Sequence, residues 1–276
     1  MLLHPQAKIR FESIISDAPH ALLVIAADGT GKEYLLNKLA SGIAGSDSIG
    51  RIIELKPENK LKSISVEQVR DLKILLKTKS DNKRVVIIPK AQLLTNQAQA
   101  ALLKLLEEPL VGVHLLLGLT NRSDVIETIV SRCQIWLLPE PTEKQIYDHF
   151  SGTSRVDLSR IISIAGGRVG LISAMLSDDS SNELLQMIEV AKEILQENTF
   201  EKLIKVDELS KKPLEVKLLL EALTLISKAA MNGAAKASTK TLSSWHNRLS
   251  RIMEARTLIE KNVNPKLVLT QLFMKF

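Results

Sequence analysis

The segment Asp28-Gly29-Thr30-Gly31-Lys32-Glu33 follows directly on the apolar run Ala21-Leu22-Leu23-Val24-Ile25-Ala26. A glycine turn leaving a strand can aim backbone N–H groups at phosphate oxygens, with a lysine reaching the β and γ phosphates and a Ser or Thr hydroxyl on magnesium. Gly29, Thr30, Gly31 and Lys32 supply such a loop and its cation, but Ala26 stands where the first glycine belongs and Glu33 where the hydroxyl belongs. A carboxylate there adds negative charge beside the phosphates, so magnesium-bound triphosphate should be held weakly. The bland alternative is a glycine turn that only caps a helix.

Hydrolysis also needs an acid at the end of a neighbouring apolar strand to seat the metal. The run Arg84-Val85-Val86-Ile87-Ile88 ends instead in Pro89-Lys90, which brings no side-chain ligand and then a cation. The one cysteine, Cys133, excludes an internal disulfide and a cysteine-based zinc site, since either needs at least two thiols. With no histidine near it in sequence, Cys133 reads as a small buried hydrophobe rather than a nucleophile.

These residues must be positioned by a fold of the α/β class. Short apolar runs at 21–26, 51–55, 84–88 and 114–120 read as buried strands. Helical patterns at about 33–41, 66–77 and 96–108 alternate with them, the last ended by Pro109, which argues for a parallel sheet covered on both faces. Beyond Ile135-Trp136-Leu137-Leu138-Pro139 the strand signals stop and amphipathic helical spacing takes over. The expected division is an α/β domain over 1–140, a small helical domain over 141–180 opened by a Thr142 cap and punctuated by Gly166-Gly167, and a helical domain over 181–276. The polar stretch Ser177–Asn182 is the candidate linker between the last two.

Hydrophobic residues make up 45% of the 276 positions and aromatics 3%, so the core must be aliphatic, which disfavours an all-β sandwich. No run of about 18 uncharged apolar residues occurs, and the first residues lack the order of a secretory signal. A cytoplasmic, soluble protein without a membrane partner is the expectation. The net charge of +6 is concentrated at the end, where residues 201–276 carry 14 Lys/Arg against 7 Asp/Glu. A basic helical segment attracts nucleic acid, but a solvated lysine-rich surface produces the same composition.

Residues 84–109, RVVIIPKAQLLTNQAQAALLKLLEEP, strongly resemble the second nucleotide-motif strand and following helix of bacterial clamp-loader subunits, members of the AAA+ family. In that family the positions of Pro89 and Lys90 usually hold Asp and Glu. Val66-Glu67-Gln68-Val69-Arg70 resembles the helix start before this strand, and Ser131-Arg132-Cys133 the Ser-Arg-Cys motif that carries an arginine finger. The likeness continues through Gly166-Gly167 and Asn262-Val263-Asn264-Pro265-Lys266-Leu267, nearly the whole chain. The family's cysteine-rich zinc module is absent. Its lid sensor arginine would align near Leu171, leaving Arg168 as a substitute.

The resemblance implies an AAA+ parallel sheet with flanking helices, a small helical lid and a C-terminal helical collar. The degenerate loop and missing acids point to the branch that does not hydrolyse ATP, the delta-prime type. No cofactor is then required, although ATP or ADP binding through Gly29, Thr30, Gly31, Lys32 and the sensor-position Thr120 stays open. Arg132 would act in trans on a neighbour's nucleotide, since guanidinium stays charged and forks onto phosphate oxygens. The implied partners are clamp-loader ATPase subunits, a delta-type subunit and, through the ring, a sliding clamp and primer–template DNA. Two other readings stand beside this one: an active gamma/tau-like ATPase, and a nucleic-acid-binding scaffold using the basic C-terminal helices.

Overall fold

The computed structural model describes residues 2–45, 51–58, 63–77, 83–152, 155–177, 181–236 and 241–276. Five parallel strands, β1 (Ala21–Ile25), β2 (Ile52–Glu54), β3 (Arg84–Ile88), β4 (Val113–Leu119) and β5 (Gln134–Leu137), form one sheet in the order β2-β3-β4-β1-β5. The first strand is thus inserted between the fourth and fifth, with Leu22 beside Leu116 on one side and Gln134 on the other. Ligands of open parallel sheets lie outside the carboxyl ends of the strands, where strand order switches. The glycine loop leaves β1 at that edge.

Continuous apolar runs became strands because both faces of the sheet are covered. Leu22, Val24, Val85, Ile87, Leu116 and Trp136 face one core, shared with α1 (Pro5–Ser16) and α2 (Lys32–Ala44). Leu23, Val86, Ile88, Leu115 and Leu117 face the other, shared with α3 (Val66–Lys77), α4 (Asn96–Glu107) and the short α5 (Glu127–Val130). Thr95 caps α4 by accepting from the Ala98 amide at 3.2 Å. The helix after the glycine loop runs on to Ala44, past the expected end at 41, and stops at Gly45 with φ of +83°.

Gly118 lies on β4 close against the Pro89 carbonyl. A Cβ there would lie 2.3 Å from the Pro89 carbonyl oxygen and 2.9 Å from Leu36 Cδ1, so only glycine lets the end of β3 pass over β4.

The chain divides into two compact units, Met1–Ile146 and Tyr147–Phe276, with the boundary inside α6 (Glu143–His149). Thr142 and Gln145 form a reciprocal cap at the start of α6: the Thr142 amide donates to Gln145 Oε1 at 2.9 Å and the Gln145 amide to Thr142 Oγ1 at 3.4 Å.

The described part of the second unit is wholly helical: α7 (Arg155–Ala165), α8 (Val169–Ser177), α9 (Glu183–Gln196), α10 (Thr199–Leu209), α11 (Pro213–Lys236), α12 (Thr241–Glu260) and α13 (Pro265–Met274). Gly166 and Gly167 take φ of +60° and +82° between α7 and α8. Of the expected linker, residues 178–180 lie outside the described residues. Helix α11 packs against α7, α9 and α12, and its Leu219, Leu220 and Leu223 are buried in this unit's own core. The Glu221 carboxylate joins Arg168, just before α8, to Arg256 on α12, the latter at 2.6 Å. Among the described residues no helix is long and apolar enough to cross a membrane.

A candidate nucleotide loop and an exposed arginine

Gly29 and Gly31 take φ of +82° and +87°, a region that side chains oppose, and this is why the turn from β1 into α2 needs glycine at both places. Thr30 closes the turn by donating its hydroxyl to the Ala27 carbonyl at 2.8 Å. No side chain caps α2, so the amides of its first turn stay directed outward as in a phosphate cradle.

Lys32 does not point out of this cradle. Its side chain is buried, and Nζ donates to the Ala26 carbonyl at 2.9 Å, the Leu119 carbonyl at 2.7 Å and Thr120 Oγ1 at 3.4 Å. The ammonium therefore ties the carboxyl ends of β1 and β4 together. Burial holds its pKa below the ordinary lysine value, opposed by the nearby Asp28 and Glu33 carboxylates. Thr120 donates to Asp28 Oδ1 at 3.0 Å and accepts from Gln92 Nε2 at 3.3 Å. Asp28 and Gln92 complete this network, and neither stood out in the sequence as a site residue. Asp28 carried the weak signal of lying four residues before Lys32, with its carboxylate 3.9 Å from Nζ.

Glu33, at the hydroxyl position of the loop, and Lys90, beyond the end of β3, form an ion pair at 3.7 Å. A magnesium ion held against triphosphate needs a hydroxyl and an acid converging on it. Here a carboxylate and an ammonium meet instead, so the residues present do not fit a magnesium-bound triphosphate. Among the described residues, no group of three or more His, Cys, Asp and Glu is placed to hold a metal ion.

Arg132 lies on the surface of the first unit, just past the end of α5. Its guanidinium donates to the Thr128 carbonyl at 3.0 Å and pairs with Glu107 at 2.9 Å. The neighbouring Cys133 is partly buried against the sheet core, and burial pushes its thiol up to about 12, so it is no nucleophile at neutral pH. Arg168 is engaged by Glu221 inside the second unit, and Leu171 is fully buried there.

The family model described as DNA polymerase III, delta subunit, matches residues 46–142, the stretch from before β2 to the start of α6. DNA polymerase III subunit delta' of Haemophilus influenzae is 32% identical over 171 residues, covering 55% of this chain and 52% of that protein. The delta' subunit of Yersinia pestis is also 32% identical, over 143 residues that cover 44% of this chain and 42% of the relative. The chain spans about half the length of the curated relatives it matches. Its fold is that of AAA+ proteins: a gamma subunit-related protein of Thermotoga maritima superposes with a TM-score of 0.52 at 17% identity, over 96% of this chain and 97% of that one.

The segment that the family model matches contains β3, Lys90, Glu107 and Arg132. The glycine loop, Asp28 to Glu33, lies outside it.

Proposed function

We propose that this chain is a clamp-loader subunit of the replicative DNA polymerase that does not hydrolyse ATP itself and lends Arg132 to the ATP site of a neighbouring ATPase subunit. The observation that carries the reading is the Glu33–Lys90 ion pair, which sets a cation against the carboxylate that stands at the loop's hydroxyl position. Catalysis of phosphoryl transfer rests on positioning and charge stabilisation by metal and cations, so a site without converging metal ligands loses its main contribution. Lys32, already engaged by three oxygens, supports the same conclusion. The chain then requires no nucleotide cofactor, and Gly29, Thr30, Gly31, Lys32 and Thr120 act as a structural turn.

In this reading the first unit supplies the AAA+ domain over 1–140, followed by a lid over 141–180 and a collar over 181–276. Partners are ATPase and delta-type subunits in a hetero-oligomeric ring that handles a sliding clamp and primer–template DNA in the cytoplasm. The exposed Phe200 and Ile204 on α10 and Leu267 and Met274 on α13 are among the apolar positions available for association in the collar, whereas Leu219, Leu220 and Leu223 are used internally. The basic helices are the weaker basis for a nucleic-acid scaffold: Lys205, Lys212, Arg256 and Lys266 are each paired with a carboxylate.

The test is hydrolysis by the ring assembled from this chain and its ATPase partners. The isolated chain should show no magnesium-dependent turnover, and Arg132→Ala should leave assembly intact while lowering hydrolysis at the site it faces, toward the roughly 10³-fold or greater effect known for arginine fingers of GTPases. Turnover by the isolated chain that disappears with Lys32→Ala would favour the active ATPase instead.

A further inference from the structure

Pro109 ends α4 one residue after its cap, which leaves Glu107 as the last helical residue. An acid in the last turn is opposed by the helix dipole. What offsets it here is Arg132, whose Nη2 lies 2.9 Å from Glu107 Oε1, while Nη1 donates to the Thr128 carbonyl at 3.0 Å and the Ser131 hydroxyl at 3.4 Å. The two side chains keep 47% and 36% of their exposure. An ion pair so open to water contributes little to stability, so its consequence is geometric. An unrestrained arginine side chain samples many rotamers, and a positioned one does not have to be ordered when it meets its target. Among the described residues, two of the five guanidinium N–H groups, both on Nη1, donate hydrogen bonds and Nη2 sits against Glu107, which leaves the Nε edge to fork onto a phosphate.

We infer that Glu107 is a positioning residue, holding the Arg132 guanidinium in the orientation from which it reaches the γ-phosphate of a nucleoside triphosphate bound by a neighbouring subunit. The inference rests on the finger reading of Arg132. Glu107 acts as a counter-charge at a fixed point on α4, and the packing of α4 on α5 sets the distance.

The experiment compares Glu107→Ala, Glu107→Gln, Arg132→Ala and the double variant Glu107→Ala/Arg132→Ala in the assembled ring, with kcat and KM for ATP measured separately. Recording the ¹⁵N–¹H signal of Arg132 Nε in the isolated full chain reports its order directly. Glu107→Ala should lower kcat by ~3- to 10-fold with KM unchanged, a part of what full ordering of an arginine costs. Glu107→Gln keeps an electronegative oxygen at that point and should stay within about twofold. The Nε signal should broaden in Glu107→Ala and persist in Glu107→Gln, and Glu107→Ala should add nothing once Arg132 is gone. If Arg132→Ala lowers hydrolysis but Glu107→Ala leaves kcat unchanged or raises it, Glu107 is a bystander or a brake and the positioning role is wrong. If Arg132→Ala has no effect, the finger reading fails and the inference falls with it. An equal loss from Glu107→Ala with or without Arg132, or a Nε signal indifferent to Glu107, also overturns it.

Discussion

Glu33 Oε1, in the first turn of α2, lies 3.7 Å from Lys90 Nζ, beyond the end of β3. Both side chains are about half exposed, so the pair contributes little to stability. Its importance is positional: on the proposed reading, the two places where an ATPase keeps a hydroxyl and an acid for magnesium hold opposite charges.

Replacing both partners should therefore recreate a metal site. Glu33→Thr combined with Pro89→Asp and Lys90→Glu is expected to gain a magnesium-dependent rise in unfolding temperature with ATP, while the natural chain shows none. Ligand at 100-fold over its Kd stabilises by about 2.7 kcal/mol, well within reach of a thermal-shift measurement. A magnesium-dependent shift in the natural chain would contradict the geometry of the pair.

Lys32 should behave as a structural residue. Lys32→Met removes the donor shared by the Ala26 and Leu119 carbonyls and strands polar groups at the ends of β1 and β4. A loss of about 1–3 kcal/mol is expected from urea denaturation without any nucleotide present. An unchanged midpoint would mean that the lysine only awaits a ligand.

Gly118→Ala should be among the most damaging single substitutions. The new methyl would stand 2.3 Å from the Pro89 carbonyl oxygen, and backbone cannot yield as a flexible side chain does. Overpacking of this kind costs about 1–3 kcal/mol or more, which soluble yield and unfolding temperature would register.

Cys133 should resist alkylation in the folded chain. Burial raises its pKa from 9.0 to about 12, so at pH 8 its thiolate fraction falls roughly a thousandfold. The sign for stability follows from linkage. The folded state holds the thiol proton longer, so this contribution is complete below pH 9.0 and is lost as pH climbs toward 12. Iodoacetamide labelling with and without urea checks it, and rapid labelling of the folded chain would place the thiol outside the core.

Glu221→Ala should loosen the helical unit. It leaves the guanidiniums of Arg168 and Arg256, both largely buried, without the carboxylate between them. Removing one member of such a cluster costs about 2–4 kcal/mol, allowing for its partial exposure. Glu221→Gln should lose less, and equal losses would point to packing rather than charge.

Much of the architecture was readable along the chain. Strands buried on both faces must be continuously apolar, so Arg84–Ile88 appeared with its observed bounds. The helix at Val66–Lys77 did too, because its apolar spacing has the helical period. The glycine turn was equally legible, since it depends on residue type at a fixed local position. What the residues do to one another was not. Lys32 bonds Leu119 from 87 positions away, and the pairs Glu33–Lys90 and Glu107–Arg132 join different elements. Those partnerships follow from strand order, above all from the insertion of β1 between β4 and β5, and from which helices cover each face. Local periodicity tells a side chain which face it must bury. It carries no information about which distant charge will stand within hydrogen-bonding distance, because that is settled by the packing of whole elements and the requirement that buried polar groups find partners.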